Sequence, residues 1–199
     1  MVRAARLTLE REGFAGTTAR AIARTGHLNQ ALIFYHFGSV HALLLAALDE
    51  SSERRLARYR EQLAGVDSPT GLVRVMRSLY GEDLAEGHVA VVQALAAGGS
   101  SSTELGRALA ARMEPWVDFA TEVLSRLVGA TPLAPWLPVP DLAFAIVACY
   151  FGMETVAHLD GDRSRAASLF ETAARLAPLA DQLLGRGAGP GPAATGAAP

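Results

Sequence analysis

The residues best suited to chemistry lie together near the N-terminus: Asn29, Gln30 and Ala31, followed by Phe34, Tyr35 and His36. Asn and Gln each carry a carbonyl oxygen beside an amide NH2, the fork that pairs with N6 and N7 of adenine in the major groove. A small residue such as Ala31 lets backbone approach base edges or touches a thymine methyl. The Thr18 hydroxyl and a helix start at Asn29 can take phosphate oxygens, with Arg20 and Arg24 adding positive charge beside them.

Nothing comparable points to catalysis. His41, His88 and His158 are scattered, and no HExxH pair or other metal-ligand spacing occurs. There is no GxSxG nucleophile elbow, and Gly98-Gly99 has neither a strand before it nor a Gly-Lys-Ser/Thr after it. The single cysteine, Cys149, excludes an internal disulfide, and its apolar neighbourhood predicts a buried, inert thiol. The expectation is a protein that is not an enzyme, with no catalytic residues, no metal and no cofactor.

The elements that must position these side chains all read as helix. Alanine, leucine, arginine and glutamate dominate, and no alternating β-branched run suggests a strand. The breakers and caps predict helices over 2–12, stopped at Gly13, then 19–24 capped by Thr17 or Thr18, and 30–37 capped by Asn29. A long helix over 40–64 follows Gly38-Ser39, and further helices are expected over 70–86, 88–97, 104–128, 141–159 and 164–184. Three prolines within six residues predict irregular chain over 129–140.

Three short helices in the first forty-five residues, with a tight second-to-third connection, match a helix-turn-helix. Its mini-core would set Ala21, Ile22, Leu28, Leu32, Ile33 and Phe37 against Leu7, Leu9 and Phe14. Charge follows the same division. All 18 basic residues are arginine, and residues 1–60 hold nine of them against five acids, while the whole chain is −2. A basic head on an acidic body suits a polyanion-binding module fused to something else. With 199 residues, half of them hydrophobic and 19% charged, the chain can bury a sizeable core.

The ordered run Gly13-Phe14, Thr17-Thr18, Ile22-Ala23 and Leu28 through Ser39 resembles the N-terminal domain of the TetR (tetracycline-repressor) family of transcriptional regulators. The resemblance covers about residues 1–48 and rests on ordering and spacing. It implies an all-α fold, with a three-helix helix-turn-helix head joined by a long helix to a helical effector-binding and dimerisation domain. The corresponding division is a DNA-binding domain over 1–47, an effector and dimer domain over 48–184, and a disordered Gly/Ala/Pro tail over 185–199. DNA-binding positions carried over are Thr18, Asn29, Ala31, Phe34, His36 and Ser39, joined by Arg20, Gln30 and Tyr35 from their chemistry. Three residues depart from the pattern: His27 stands at a turn glycine, Phe34 at a tyrosine, and Val40 at a phosphate-binding lysine. Each departure bears on affinity for DNA more than on fold.

A regulator of this kind needs a sensor. Met76, Tyr80, Leu95, Met113, Trp116, Phe119, Phe144, Val147, Tyr150 and Phe151 are the candidate pocket liners, a set that would make an adaptable apolar cavity. Core packing explains the same stripes equally well. An uncharged, lipophilic or aromatic effector is expected, and Glu114, Asp118 or Glu154 offers a contact for a cationic group. The last two helices, apolar nearly all round, are expected to pair with a second copy as a four-helix bundle. The N-terminus shows no basic-then-apolar signal pattern, and the longest apolar run, ten residues over 142–151, is too short for a bilayer, so the expected setting is cytoplasmic without a membrane. The leading expectation is a ligand-responsive homodimeric regulator, a repressor, on a palindromic duplex. The alternative is the same fold as a ligand-binding or protein-interaction module with weak or no operator binding.

Overall fold

The computed structural model describes residues 1–85, 91–93, 95–96, 103–129 and 131–185. Every regular element among them is helical: α1 (Val2–Gly16), α2 (Ala19–Gly26), α3 (Ala31–Phe37), α4 (Val40–Leu63), α5 (Pro69–Ala85), α6 (Thr103–Ala111), α7 (Glu114–Val128), a 3-10 turn (Ala134–Trp136), α8 (Val139–Asp160) and α9 (Ser164–Leu183). Residues 91–93 and 95–96 are helical as well; the rest of the helix expected over 88–97 and the tail beyond Gly185 lie outside the described residues.

Local chemistry sets each junction of the head. Gly13 takes φ 68° and breaks the helical geometry, as expected, but one more turn, to Gly16, follows it. The Thr17 hydroxyl donates to the Gly13 carbonyl at 2.6 Å, so Thr18 is left to cap α2, accepting from the Ala21 N–H at 3.2 Å. The helix runs two residues past the expected end and closes with His27 in the left-handed region, φ 49° and ψ 45°. Asn29 Oδ1 accepts from the Ala31 N–H at 2.9 Å and so starts α3. Gly38, at φ 74°, ends it, and the Ser39 hydroxyl accepts from the Ala42 N–H at 3.0 Å to open α4, whose axis turns 65° from that of α3.

The head core is narrower than expected. Leu9, Ile22 and Ile33 are buried, with Phe14, Leu28 and Phe37 packed partly against them, whereas Leu7 is only half-buried and Leu32 is exposed. A seven-residue helix can bury one stripe, and Ile33 takes it; Leu32 sits about 100° around the axis and faces out. The same cluster does not stop at the head. It continues through Leu43, Leu44 and Leu48 of α4 into Val91, Val92, Leu95, Leu105 and Leu109. A second cluster joins Leu56, Tyr59 and Leu63 of α4 with Leu79 of α5 and Phe119, Val123 and Leu127 of α7.

Proline corrects two further expectations. The single helix over 104–128 breaks between Ala111 and Glu114, because Pro115 in the next first turn has no N–H and its ring crowds the carbonyl of Ala111. The break is held by Arg112, whose guanidinium grips Asp49 of α4 through contacts of 2.6 and 2.8 Å. In 129–140 the chain is not wholly irregular: a 3-10 turn forms, and Pro140 lies in the first turn of α8, where its lost N–H costs nothing. By length and composition Val139–Ala157 of α8 is apolar enough to cross a bilayer, and 11% of that window is buried in the chain. Cys149 on this helix is exposed rather than buried, because α8 turns only one side inward.

His27 is the only described non-glycine residue at positive φ. Left-handed geometry costs an L-residue about 1–2 kcal/mol, part of which a glycine would return as unfolded-state entropy. His27→Gly is expected to raise stability by about 0.5–1 kcal/mol, read as a higher thermal midpoint; a lower midpoint would show that the imidazole packs usefully.

Candidate nucleic-acid interface and cavity

The expected recognition surface is presented outward. Thr18, Arg20, Asn29, Gln30, Ala31 and His36 are all exposed, Phe34 is 51% and Tyr35 82% exposed, and Ser39 is half-buried. Thr18 and Ser39 accept backbone N–H groups as caps, which leaves each hydroxyl hydrogen able to point at an acceptor such as a phosphate oxygen. Asn29 spends Oδ1 on its cap and keeps its NH2 group for another partner. The Tyr35 ring stands edge-on to His36, with centroids 4.9 Å apart. Arg24 is tied to Glu12 at 2.6 Å, so its charge is largely neutralised in place. Val40 packs partly against the head core, so it serves as a packing residue there.

In the body, α4, α5, α7 and α8 surround a cavity of about 140 Å3. Met76, Met113, Trp116, Phe119, Val147 and Phe151 line it together. Three of the other proposed liners fall elsewhere. Tyr80 packs its ring on Tyr150 and Phe170, at 5.8 and 5.2 Å between centroids. Leu95 is fully buried in the cluster shared with the head. Phe144 is 63% exposed and borders a neighbouring hollow of about 330 Å3, whose wall of Met113, Val147 and Phe151 is common to the first.

One end of the cavity is polar. Asp83 is fully buried and accepts from Arg55, from Arg58 at 2.6 Å, and from the hydroxyls of Tyr59 at 2.6 Å and Tyr150 at 3.1 Å. Arg55 also lies over the Trp116 ring, 4.9 Å from its centroid. Burial alone would raise the Asp83 carboxyl, but hydrogen bonding and charge from Arg55, with the two tyrosine hydroxyls, hold it below the usual carboxylate range. Glu154 has the opposite fate. Burial pushes its carboxyl from 4.5 up to about 7, against the Arg55 charge and with the Asp83 charge. It is 4% exposed, and neither Glu154 Oε1 nor Arg55 Nε has a hydrogen-bond partner among the described residues.

Sequence reasoning missed Arg55, Tyr59 and Asp83; it placed Tyr150 among the apolar liners and Glu154 among three acids able to meet a cationic group, and both line the cavity. A signal was present. Arg55 falls on the α4 stripe of Leu48, Tyr59 and Leu63; Asp83 on the α5 stripe of Leu72, Met76 and Leu79; Glu154 on the α8 stripe of Ala143, Val147 and Tyr150. A charge at the helical period of a buried face marks a buried charge.

Residues 2–47 match the model of the bacterial regulatory proteins, tetR family. Over 98 residues the chain is 30% identical to the HTH-type transcriptional regulator UidR of Escherichia coli K12, a stretch covering 49% of this chain and 50% of that protein. The chain thus aligns with about half the length of the curated relatives it matches. The fold as a whole resembles the fatty acid degradation regulator FadR from Bacillus halodurans, with a TM-score of 0.71 at 16% identity over 88% of this chain and 90% of that one. It also resembles FadR from Bacillus subtilis, solved in complex with stearoyl-CoA, with a TM-score of 0.69 at 14% identity over 93% and 96% of the two chains.

The raised Glu154 carboxyl has a consequence for stability. Between pH 4.5 and about 7 the folded chain keeps a proton that the unfolded chain releases, so stability falls as pH rises through that window. The loss reaches about 3 kcal/mol at most. Glu154→Gln, which cannot ionise, is expected to match the parent near pH 4.5 and to melt at a higher temperature at pH 8. Parallel midpoint-against-pH curves for the two proteins would contradict a buried, proton-holding carboxyl.

Proposed function

We propose that this chain is a regulator of the TetR type, a ligand-responsive, homodimeric repressor of transcription that binds a palindromic duplex. The observation that carries this reading is the outward presentation of α3: Ile33 is buried while Asn29, Gln30, Ala31 and Tyr35 face solvent on the other side. Residues 1–47 act as the DNA-binding domain and the following helices as the effector and dimer domain, in a cytoplasmic protein.

Dimerisation runs through α8 and α9. Their outer sides expose Leu142, Ile146, Val156 and Leu159 on one helix and Leu169, Leu176, Leu179 and Leu183 on the other. A second copy, rather than lipid, suits this surface, because the inner side of α8 carries Tyr150, Glu154 and a Thr155 hydroxyl that accepts from Gln93 at 2.7 Å. Two heads fixed about a two-fold axis then meet two half-sites one helical turn apart.

Effector action uses α4 as the lever. Leu43, Leu44 and Leu48 at one end belong to the head core, and Ser52, Arg55, Tyr59 and Leu63 farther along line the cavity. Val92 and Phe151 touch both regions, so filling the cavity bears directly on side chains packed under the head. A ligand that fits one tilt of α4 better than the other shifts the separation of the paired heads.

Selection of bound fragments from random duplexes tests the reading. The expected product is a palindrome with half-site centres roughly 10 bp apart. Gln30→Ala is expected to relax base preference by about 1–3 kcal/mol at the affected position, while Thr18→Ala weakens all sequences alike. Leu176→Glu combined with Leu183→Glu is expected to give a monomer by sedimentation that no longer retains the selected duplex. Phe34 without a hydroxyl and Val40 engaged in packing favour a second reading, in which the same fold binds ligand or protein and little DNA. Absence of duplex binding even at low ionic strength would select it.

A further inference from the structure

Resting on the reading of the cavity as the effector site, we propose that it selects a neutral apolar molecule bearing one head group that both accepts and donates a hydrogen bond, a primary alcohol or a carboxamide, seated between Arg55 and Glu154. Two atoms define that head. Arg55 Nε carries a hydrogen with no acceptor, and Glu154 Oε1 has no donor, among the described residues. Both residues line the same cavity, and both side chains are more than nine-tenths buried. Both atoms already lie out of reach of water, and a purely apolar ligand would leave them unsatisfied, which is the costly outcome for buried polar groups.

Charged heads fit less well. An ammonium would enter beside Arg55, whose guanidinium already covers the Trp116 ring, and near Arg58. A carboxylate would enter beside Glu154 and Asp83, while Arg55 is already committed to Asp83. A hydroxyl or amide accepts from Arg55 Nε–H and turns its own hydrogen to Glu154. The same head also serves when Glu154 holds a proton, since it can accept from the acid. Beyond the polar end the walls are apolar, and the shared wall of Met113, Val147 and Phe151 borders a second hollow that can receive a longer tail.

The test uses five probes of matched length: 1-octanol, octanamide, 1-methoxyheptane, octanoate and octylammonium. Trp116 lines the cavity and Trp136 is exposed on the surface, so Trp136→Phe in the full chain isolates the Trp116 fluorescence signal. Well above pH 7, where Glu154 is ionised and can only accept, octanol and octanamide are expected to bind at least about tenfold tighter than the ether, which cannot donate, and than either ion. Glu154→Leu is expected to bring octanol and the ether within about twofold, and Glu154→Gln, which still donates and accepts, to keep the preference. Circular dichroism confirms that each variant is folded. Tightest binding by octanoate or octylammonium, an ether equal to the alcohol, or no Trp116 response to any probe overturns the proposal. Retention of the selected duplex is measured separately. A head-group preference with no effect on duplex retention keeps this inference and sinks the effector reading, whereas loss of duplex binding alone leaves the preference intact.

Discussion

A carboxylate with no access to water must be met by donors, and Asp83 is met by four. Arg55, Arg58 and Tyr59 come from α4 and Tyr150 from α8, while Asp83 itself stands on α5. Satisfying that one charge therefore fixes the rotation of three helices about a common point. Removing any donor would strand charge in a low-dielectric setting, a penalty far above the net worth of an ordinary hydrogen bond. The cavity opens against this knot, so its polar end is held in place before any ligand arrives.

The knot also sets what α4 can do. This helix is continuous over 24 residues, with the head packed at one end and the Asp83 donors farther along. A second ion pair, Asp49 with Arg112, ties its middle to the break between α6 and α7. The helix is thus gripped at three levels, and displacement at one level is transmitted as tilt, because a regular helix bends far less readily than its side chains repack.

The head was legible in the sequence because its junctions are made by local chemistry. Thr18, Asn29, Gly38 and Ser39 act through bonds spanning two to four residues, and the outward set on α3 follows from where Ile33 must go. Leu32 misled because a short helix offers fewer buried positions than its apolar residues suggest. Pro115 was passed over inside a strong helical pattern, and one missing N–H outweighed the propensity of its neighbours. The cavity was legible only in part. Aromatic and methionine residues at helical spacing came together as a group, yet which of them faces space rather than another helix depends on three-dimensional packing, as Tyr80 and Leu95 show. The polar end was only partly legible: Glu154 was named as a possible ligand contact, but Arg55 and Asp83 were passed over although their register on the apolar stripes marks them as buried.

The apolar cluster that begins at Ala4 and ends at Leu109 has a thermodynamic meaning. The three-helix head does not own its interior: Leu43, Leu44 and Leu48 are covered from one side by α1 and from the other by Val91, Leu95 and Leu105. A fragment cut after residue 47 would lose Leu48 together with Val91, Leu95 and Leu105, and expose Leu43 and Leu44. Heat or denaturant therefore dismantles head and body in one cooperative transition, and no folded, free-standing head survives the melting of the rest.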